Sequence, residues 1–235
     1  MIWLLSIAFA TDIDAPTLRA LDPVLFDELM TLEPVPNRAG VPRFAGTVLD
    51  AEQAPEVLAH RLQTAGEPPE VRAALAATIA HMADPALLTQ LIDDEGDPDI
   101  RIHLYQGLEK APAEVALPVL KAGLTDDAPG VRAESARVLG NRSDCPDAAD
   151  ALVDALHDPH AEVRMFAARS LGYHAVPVYD AILPLLQDED AKVRLTAVRS
   201  LGRIDAARAA TDVAPLAADP DPKVARKAAT LSASP

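Results

Sequence analysis

One stretch of the chain recurs, and its recurrence narrows what the chain can fold into. Asp188 to Gly202 reads DEDAKVRLTAVRSLG, acidic turn residues followed by an amphipathic helical pattern. Asp126 to Gly140 reads DDAPGVRAESARVLG, and Asp158 to Gly172 reads DPHAEVRMFAARSLG. Fainter copies begin at Gly66, Glu95 and Asp219. A recurrent Val or Ile anchors each copy: Val71, Ile100, Val131, Val163, Val193 and Val224, spaced by 29, 31, 32, 30 and 31 residues. A fixed period of this length is the mark of stacked supersecondary units, each burying its apolar face against its neighbours.

Between anchors the chain alternates two helical segments. The first kind, A, is expected over Gln53–Thr64, Pro85–Asp93, Pro112–Leu124, Pro146–Leu156, Pro177–Gln187 and Ala206–Ala218. The second, B, starts near the anchor. Four, five and eight residues after the anchor stand Leu, Ala, Val or Ile in most copies, for example Ala167, Ala168 and Leu171. At about 100° per residue these fall on one stripe, the face that a helix buries. Gly140, Gly172 and Gly202 follow the last leucine, where a left-handed helix exit favours glycine. Asp158-Pro159 and Asp219-Pro220 suit the tight turn from A to B.

An ionic column accompanies the apolar one. Arg72, Arg101, Arg132, Arg164 and Arg194 each follow the anchor directly. Acids stand six residues before four arginines of the column: Glu95, Asp126, Asp158 and Asp188. The expectation is a structural ladder in which each acid either caps helix B or meets an arginine of its own or the adjacent unit. A stack of guanidiniums serving as an anion site is the other reading.

Acid, Val-Arg, small residues and Leu-Gly at about 31 residues resembles the HEAT repeat, and more closely the short HEAT-like repeats first described in phycobilin lyases. The resemblance covers roughly Glu52 to Ser234. It implies an all-α, right-handed α-solenoid of the HEAT/armadillo type, with about six helix pairs and the B helices on the concave face. The units are expected at 52–83, 84–110, 111–142, 143–174, 175–204 and 205–235. Segment 11–51 would hold an N-terminal cap helix, Pro23–Thr31, and a Pro-rich loop, Glu33–Gly46. The first, second and last units depart from the pattern: Gly66 replaces the turn acid, Glu109 replaces the exit glycine, and Ala225 replaces the arginine. Degraded end units are what capping repeats look like.

The charge of −15 disfavours nucleic acid and anionic membrane surfaces as partners, because phosphate binding rests on clustered Lys and Arg. A single cysteine, Cys145, permits neither an intramolecular disulfide nor a cysteine-based metal site. Met1–Ala10, MIWLLSIAFA, reads as a secretory signal peptide cut before Thr11, which makes the mature protein periplasmic or secreted. Packed instead as a helix on the first repeat, the same segment would leave the protein cytoplasmic. It is too short to span a bilayer.

No catalytic constellation, cofactor motif or metal site is expected. His157 and His160 have ligand-like spacing but lie in a turn that recurs without histidine. The acids from Asp93 to Asp99 lack the full calcium-loop pattern. The HEAT-repeat enzyme deoxyhypusine hydroxylase uses adjacent His-Glu pairs at its di-iron site, and no His-Glu dipeptide occurs here. The face of helix B opposite the buried stripe carries Ala133, Glu134, Arg137 and Asn141 in unit three. Unit four places Met165, Phe166, Arg169 and Tyr173 there, and unit five Leu195, Thr196, Arg199 and Arg203. Arginines with aromatic and apolar neighbours are the composition of interface hot spots. The functional expectation is a non-catalytic scaffold, a monomer or part of a hetero-complex, that binds an acidic or extended protein segment on this strip. In the other readings these side chains pack on neighbours and pair with surface acids, or the chain is an enzyme or enzyme subunit of the HEAT-like lyase or hydroxylase type.

Overall fold

The computed structural model describes residues 19, 23–36, 42–43, 54–142, 148–174 and 177–233. Met1–Ala10, Cys145 and most of the Pro-rich segment lie outside the described residues. Two compact bodies divide the chain, Met1–Gly107 and Leu108–Pro235.

The first body opens with the cap helix α1 (Pro23–Thr31), which buries Leu25, Phe26 and Leu29. A two-residue ribbon follows, β1 (Val35–Pro36) antiparallel to β2 (Pro42–Arg43). Then come two A/B pairs: α2 (Ala54–Gln63) with α3 (Pro69–Met82), and α4 (Pro85–Asp94) with α5 (Pro98–Gly107). Helix α1 packs on α2, and the B helices α3 and α5 pack on each other. Arg61, buried, fastens the cap. Its guanidinium donates to the carbonyls of Leu29 at 3.1 Å and Leu32 at 2.5 Å while pairing with Glu67 at 2.6 Å. A buried cation thereby satisfies carbonyls that the end of α1 leaves open.

The second body holds four pairs. They are α6 (Ala113–Gly123) with α7 (Pro129–Gly140), α8 (Ala149–Ala155) with α9 (Ala161–Leu171), α10 (Tyr179–Ile182) with α11 (Ala191–Ile204), and α12 (Ala206–Asp212) with α13 (Pro222–Ser232). The B helices form a row, α7 on α9 on α11 on α13. Proline occupies the first position of α3, α4, α5, α7 and α13, where its missing N–H costs nothing. Asp190 and Asp221 cap α11 and α13, each accepting from two backbone N–H groups. The last two A segments are not continuous α-helices as expected. Each ends in a 3₁₀ turn, Leu183–Gln187 and Ala214–Ala218. Pro184 and Pro215 stand early in these turns and have no N–H for the i→i−4 bond.

The six anchors are buried, from Val71 at 7% exposure to Val131, Val163, Val193 and Val224 at 0%. Each fully buried aliphatic side chain contributes roughly 1.5–3 kcal/mol relative to exposure. The exit glycines overturn the left-handed expectation. Among the described residues, Gly66 alone has a positive φ, +100°. Gly172 is right-handed, at φ −65°. What these positions need is room. A Cβ on Gly140 would stand 2.1 Å from Ser170 Oγ, and one on Gly172 would stand 2.7 Å from Ser200 Oγ. A Cβ on Gly202 would meet Leu231 at 2.7 Å. The same seam joins α3 and α5, where Gly107 lies against Ala80. Successive B helices thus touch backbone to side chain near their ends.

The acids of the ionic column do not cap helix B with their carboxylates. Each holds its own turn, with Asp126, Asp158, Asp188 and Asp219 accepting the N–H two residues on. The same carboxylates receive the arginine of the preceding unit in three pairs, Arg132–Asp158 at 2.6 Å, Arg164–Asp188 at 2.7 Å and Arg194–Asp219 at 2.8 Å. In the first body Arg72 pairs with Glu95 at 2.7 Å. The later four arginines of the column also reach back to their own turns. Arg101, Arg132, Arg164 and Arg194 donate to the carbonyls of Glu95, Asp126, Asp158 and Asp188 at 2.8–2.9 Å. One guanidinium therefore ties two consecutive turns.

Candidate functional site

The strip singled out from the sequence lies on α7, α9 and α11 and the residues just after the first two. The structure divides it. Ala133 and Glu134, expected to face solvent, are buried at 3% and 9% exposure. Glu134 folds back onto Arg137, pairing at 2.6 Å, and Arg137 also lies 3.5 Å from Glu109. The hydrogen bond that Arg137 donates to Glu134, working against burial, raises the Arg137 pKa. Asn141 is exposed and donates to Glu109 at 3.2 Å. The unit-three end of the strip is thus internally neutralised.

Units four and five differ. Met165, Phe166, Leu195 and Thr196 are half-buried along the face, and Arg169, Arg199, Tyr173 and Arg203 are exposed. Tyr173 is 55% exposed, one of two large apolar side chains left open among the described residues, Val24 being the other. The Arg203 guanidinium lies over its ring at 4.0 Å, a stacking that holds both side chains in place at little cost. Arg169, Arg199 and Arg203 form no ion pair among the described residues. Between α7 and α9, Phe166, Arg169, Ser170 and Tyr173 face Gly140 and Asn141 across a depression of about 10 Å³. That volume admits no cofactor. The face is a surface rather than a pocket.

Two further sets of contacts support this face and were not read from the sequence. Arg142 and His174, each eleven residues after its anchor, reach back to backbone carbonyls about one unit earlier in the chain. Arg142 donates to the carbonyls of Leu108 at 2.6 Å and Glu109 at 3.1 Å, and His174 Nε2 lies 3.3 Å from the Leu139 carbonyl. Ser170 donates to the Ala136 carbonyl at 2.7 Å. Polar side chains recurring late in the unit were the available signal.

The first body holds a cleft of about 650 Å³ between the ends of α2 and α4, lined among others by Gly66, Glu67, Arg72, Asp94 and Glu95. Its charged groups are largely committed, Glu67 to Arg61 and Arg72 to Glu95. His160 Nδ1 lies 3.1 Å from Arg132 Nη2 and 3.4 Å from Asp158, within the ladder. No group of three or more candidate metal ligands comes together among the described residues. Nor is any described helix long and apolar enough to cross a membrane.

A family model of HEAT repeats matches residues 55–140, 85–164, 120–178 and 149–234. No curated protein matches the sequence. Among solved structures the chain is similar to the complex of CpcE and CpcF of phycocyanin lyase from Nostoc sp. PCC7120, at 22% identity over 74% of each chain and a TM-score of 0.53. It is also similar to a designed armadillo repeat protein in complex with the peptide (KR)4, at 16% identity over 77% of this chain and 98% of that one, TM-score 0.51. An engineered protein matches at 22% identity over 74% and 95%, TM-score 0.51. Likeness at such identities speaks to the fold, a helical-repeat solenoid, and not to activity. With four overlapping matches running through all six helix pairs, the chain belongs to the HEAT-repeat family.

Proposed function

We propose that this chain is a non-catalytic scaffold that holds a protein partner across the solvent face of α9 and α11. One observation carries the reading. Arg203 stacks on an exposed Tyr173 while Arg169 and Arg199 form no ion pair among the described residues, in a chain where Arg132, Arg164 and Arg194 of the ladder are tied to carboxylates. Exposed arginines and a rigid tyrosine beside half-buried Phe166 and Leu195 form the kind of surface on which binding energy concentrates. The preceding helix contributes support, because Arg137 is already satisfied.

The test is affinity capture from the native host with the unmodified chain and an Arg169→Glu, Arg199→Glu, Tyr173→Ala variant side by side. All three side chains are exposed, so far-UV circular dichroism should match. Loss of the captured set in the variant is the expected result. The same proteins captured by both forms would end the reading. Recovery of a bound chromophore or stoichiometric iron would replace it with a lyase or hydroxylase role.

A further inference from the structure

The charge of the chain is unevenly spread. The first body holds 17 acidic and 6 basic residues, net −11, and the second holds 19 and 15, net −4. Within the second body, α11 and α13 contain no acidic residue at all. On α11 they present Lys192, Arg199 and Arg203, and on α13 Lys223, Arg226 and Lys227. Counted from the anchors, these occupy the positions just before and two, three, six and ten residues after. At about 100° per residue they fall within one arc of the helix, opposite the buried stripe. With Arg169 on α9 they make seven cations in a row of three packed helices. None of the seven forms an ion pair among the described residues. Glu162 is the one acid that α9, α11 and α13 carry on this side. Six of the seven are exposed and Lys227 is half-buried. The apolar members, Met165, Phe166, Tyr173 and Leu195, sit toward the α9 side.

We infer that the occupant of this face is an acidic, extended protein segment that runs from α9 to α13 and carries an apolar or aromatic side chain at its α9 end. The inference rests on the scaffold reading and adds to it the partner's charge, its polarity and the involvement of the last repeat. Charge complementarity carries it: a band of unneutralised cations on a chain of charge −15 lowers the energy of an anionic ligand only locally. Short carboxylate-bearing segments fit such a local patch. A nucleic acid brings one phosphate per roughly 1.7 Å of duplex and feels the repulsion of the whole molecule. Packed helices stand about 8–10 Å apart, and an extended chain rises about 3.3 Å per residue. Crossing from α9 to α13 therefore takes roughly six residues, with alternate side chains facing the helices.

The experiment uses fluorescein-labelled peptides of alternating Glu and Ser with a Phe at one end or the other, followed by fluorescence anisotropy on the full chain. A Gln-for-Glu peptide and an oligothymidylate of equal charge serve as comparisons. The Glu peptides should bind at least tenfold more tightly than the Gln peptide, with one Phe placement preferred and affinity falling as salt is raised. Arg226→Glu with Lys227→Glu should weaken binding at least tenfold with the dichroism spectrum unchanged. The charge-removing pair Arg226→Gln and Lys227→Gln should weaken it less. Equal behaviour of Glu and Gln peptides, tighter binding of the oligothymidylate, or indifference to both last-repeat variants would overturn the inference. If host capture depends on Arg169, Arg199 and Tyr173 while the Glu peptides fail, the scaffold reading stands and the acidic partner falls. If capture is also indifferent, both fall.

Discussion

The two bodies are built from one repeat and use it differently. In the first, Gly66 replaces the turn acid, and Arg72–Glu95 is the ladder pair that the body holds. Its end is secured by Arg61 on the cap helix, and its B helices carry half-buried Ala73, Ala77, Ile102 and Gln106 on the outer face, with exposed acids, Glu70 and Asp99, just before the anchors where α11 and α13 have lysines. In the second, three bidentate pairs run in register, and the free face of α11 and α13 carries six cations and no acid. The buried stripe is common to both. The apolar pattern sets the fold, and the ladder and the outer face are free to diverge. Stability of the first body leans on its cap, and that of the second on paired charges.

Acid exposes that difference most strongly. Burial opposes ionisation of Asp158 and Asp188, but hydrogen bonds from Arg132 and Arg164 and from the turn N–H groups outweigh it and hold both carboxyls below the ordinary range. Asp219 is lowered chiefly by Arg194. A carboxyl with a depressed folded pKa stabilises fully above its unfolded value, about 4, and that contribution is lost as pH falls through the folded value. The second body should therefore hold its melting temperature down to about pH 5 and lose it steeply below pH 4. The Asp158→Asn, Asp188→Asn, Asp219→Asn variant should start lower and lose most of that slope. An unchanged slope in thermal scans would show that the ladder does not govern acid unfolding.

Single rungs sharpen the contrast. Arg164 and Asp188 side chains are 10% and 6% exposed, and Asp188→Asn leaves a guanidinium facing an amide in that setting. The cost should be about 2–4 kcal/mol. Each arginine has a second acid in reach, Glu189 at 3.5 Å from Arg164 and Asp97 at 3.6 Å from Arg72, but Arg72 is 26% exposed. Glu95→Gln should cost only about 1 kcal/mol. Denaturant titration of both variants measures the pair, and equal losses would erase the distinction between the bodies.

Much of this fold was readable from residue spacing alone, because burying a stripe at helical period needs only the identities along one face. The six anchors, the A/B alternation and the cap helix Pro23–Thr31 follow from that local rule. Contacts between units did not follow. Which unit's arginine meets Asp188 depends on the rise from one turn to the next. The fate of Glu134 depends on Arg137 curling back along α7. Arg142 and His174 were passed over because their partners are backbone carbonyls about 35 residues away, invisible in side-chain patterns. On the candidate face, the exposed positions of units four and five were legible. The cations of the last repeat were not, because that unit lacks the Arg and Leu-Gly that define the others.

Glycine distinguishes the bodies at the smallest scale. Gly66 sits at φ +100° with nothing within 4 Å of a built Cβ, so its reason is conformational. Gly66→Ala should cost about 1 kcal/mol, the ordinary penalty for an L-residue there, and no neighbouring substitution should recover it. Gly140 has right-handed surroundings and no room, its Cβ falling 2.1 Å from Ser170 Oγ and 2.9 Å from the Ser170 Cα. Gly140→Ala should cost about 1–3 kcal/mol as an overpacking defect. Ser170→Gly in the same chain removes the hydroxyl that is struck, and it should return part of that loss despite forfeiting the bond to Ala136. A double-mutant cycle reads the coupling directly. Strict additivity of the two changes would mean that α7 and α9 do not meet at that point, and the close seam between B helices would have to be abandoned.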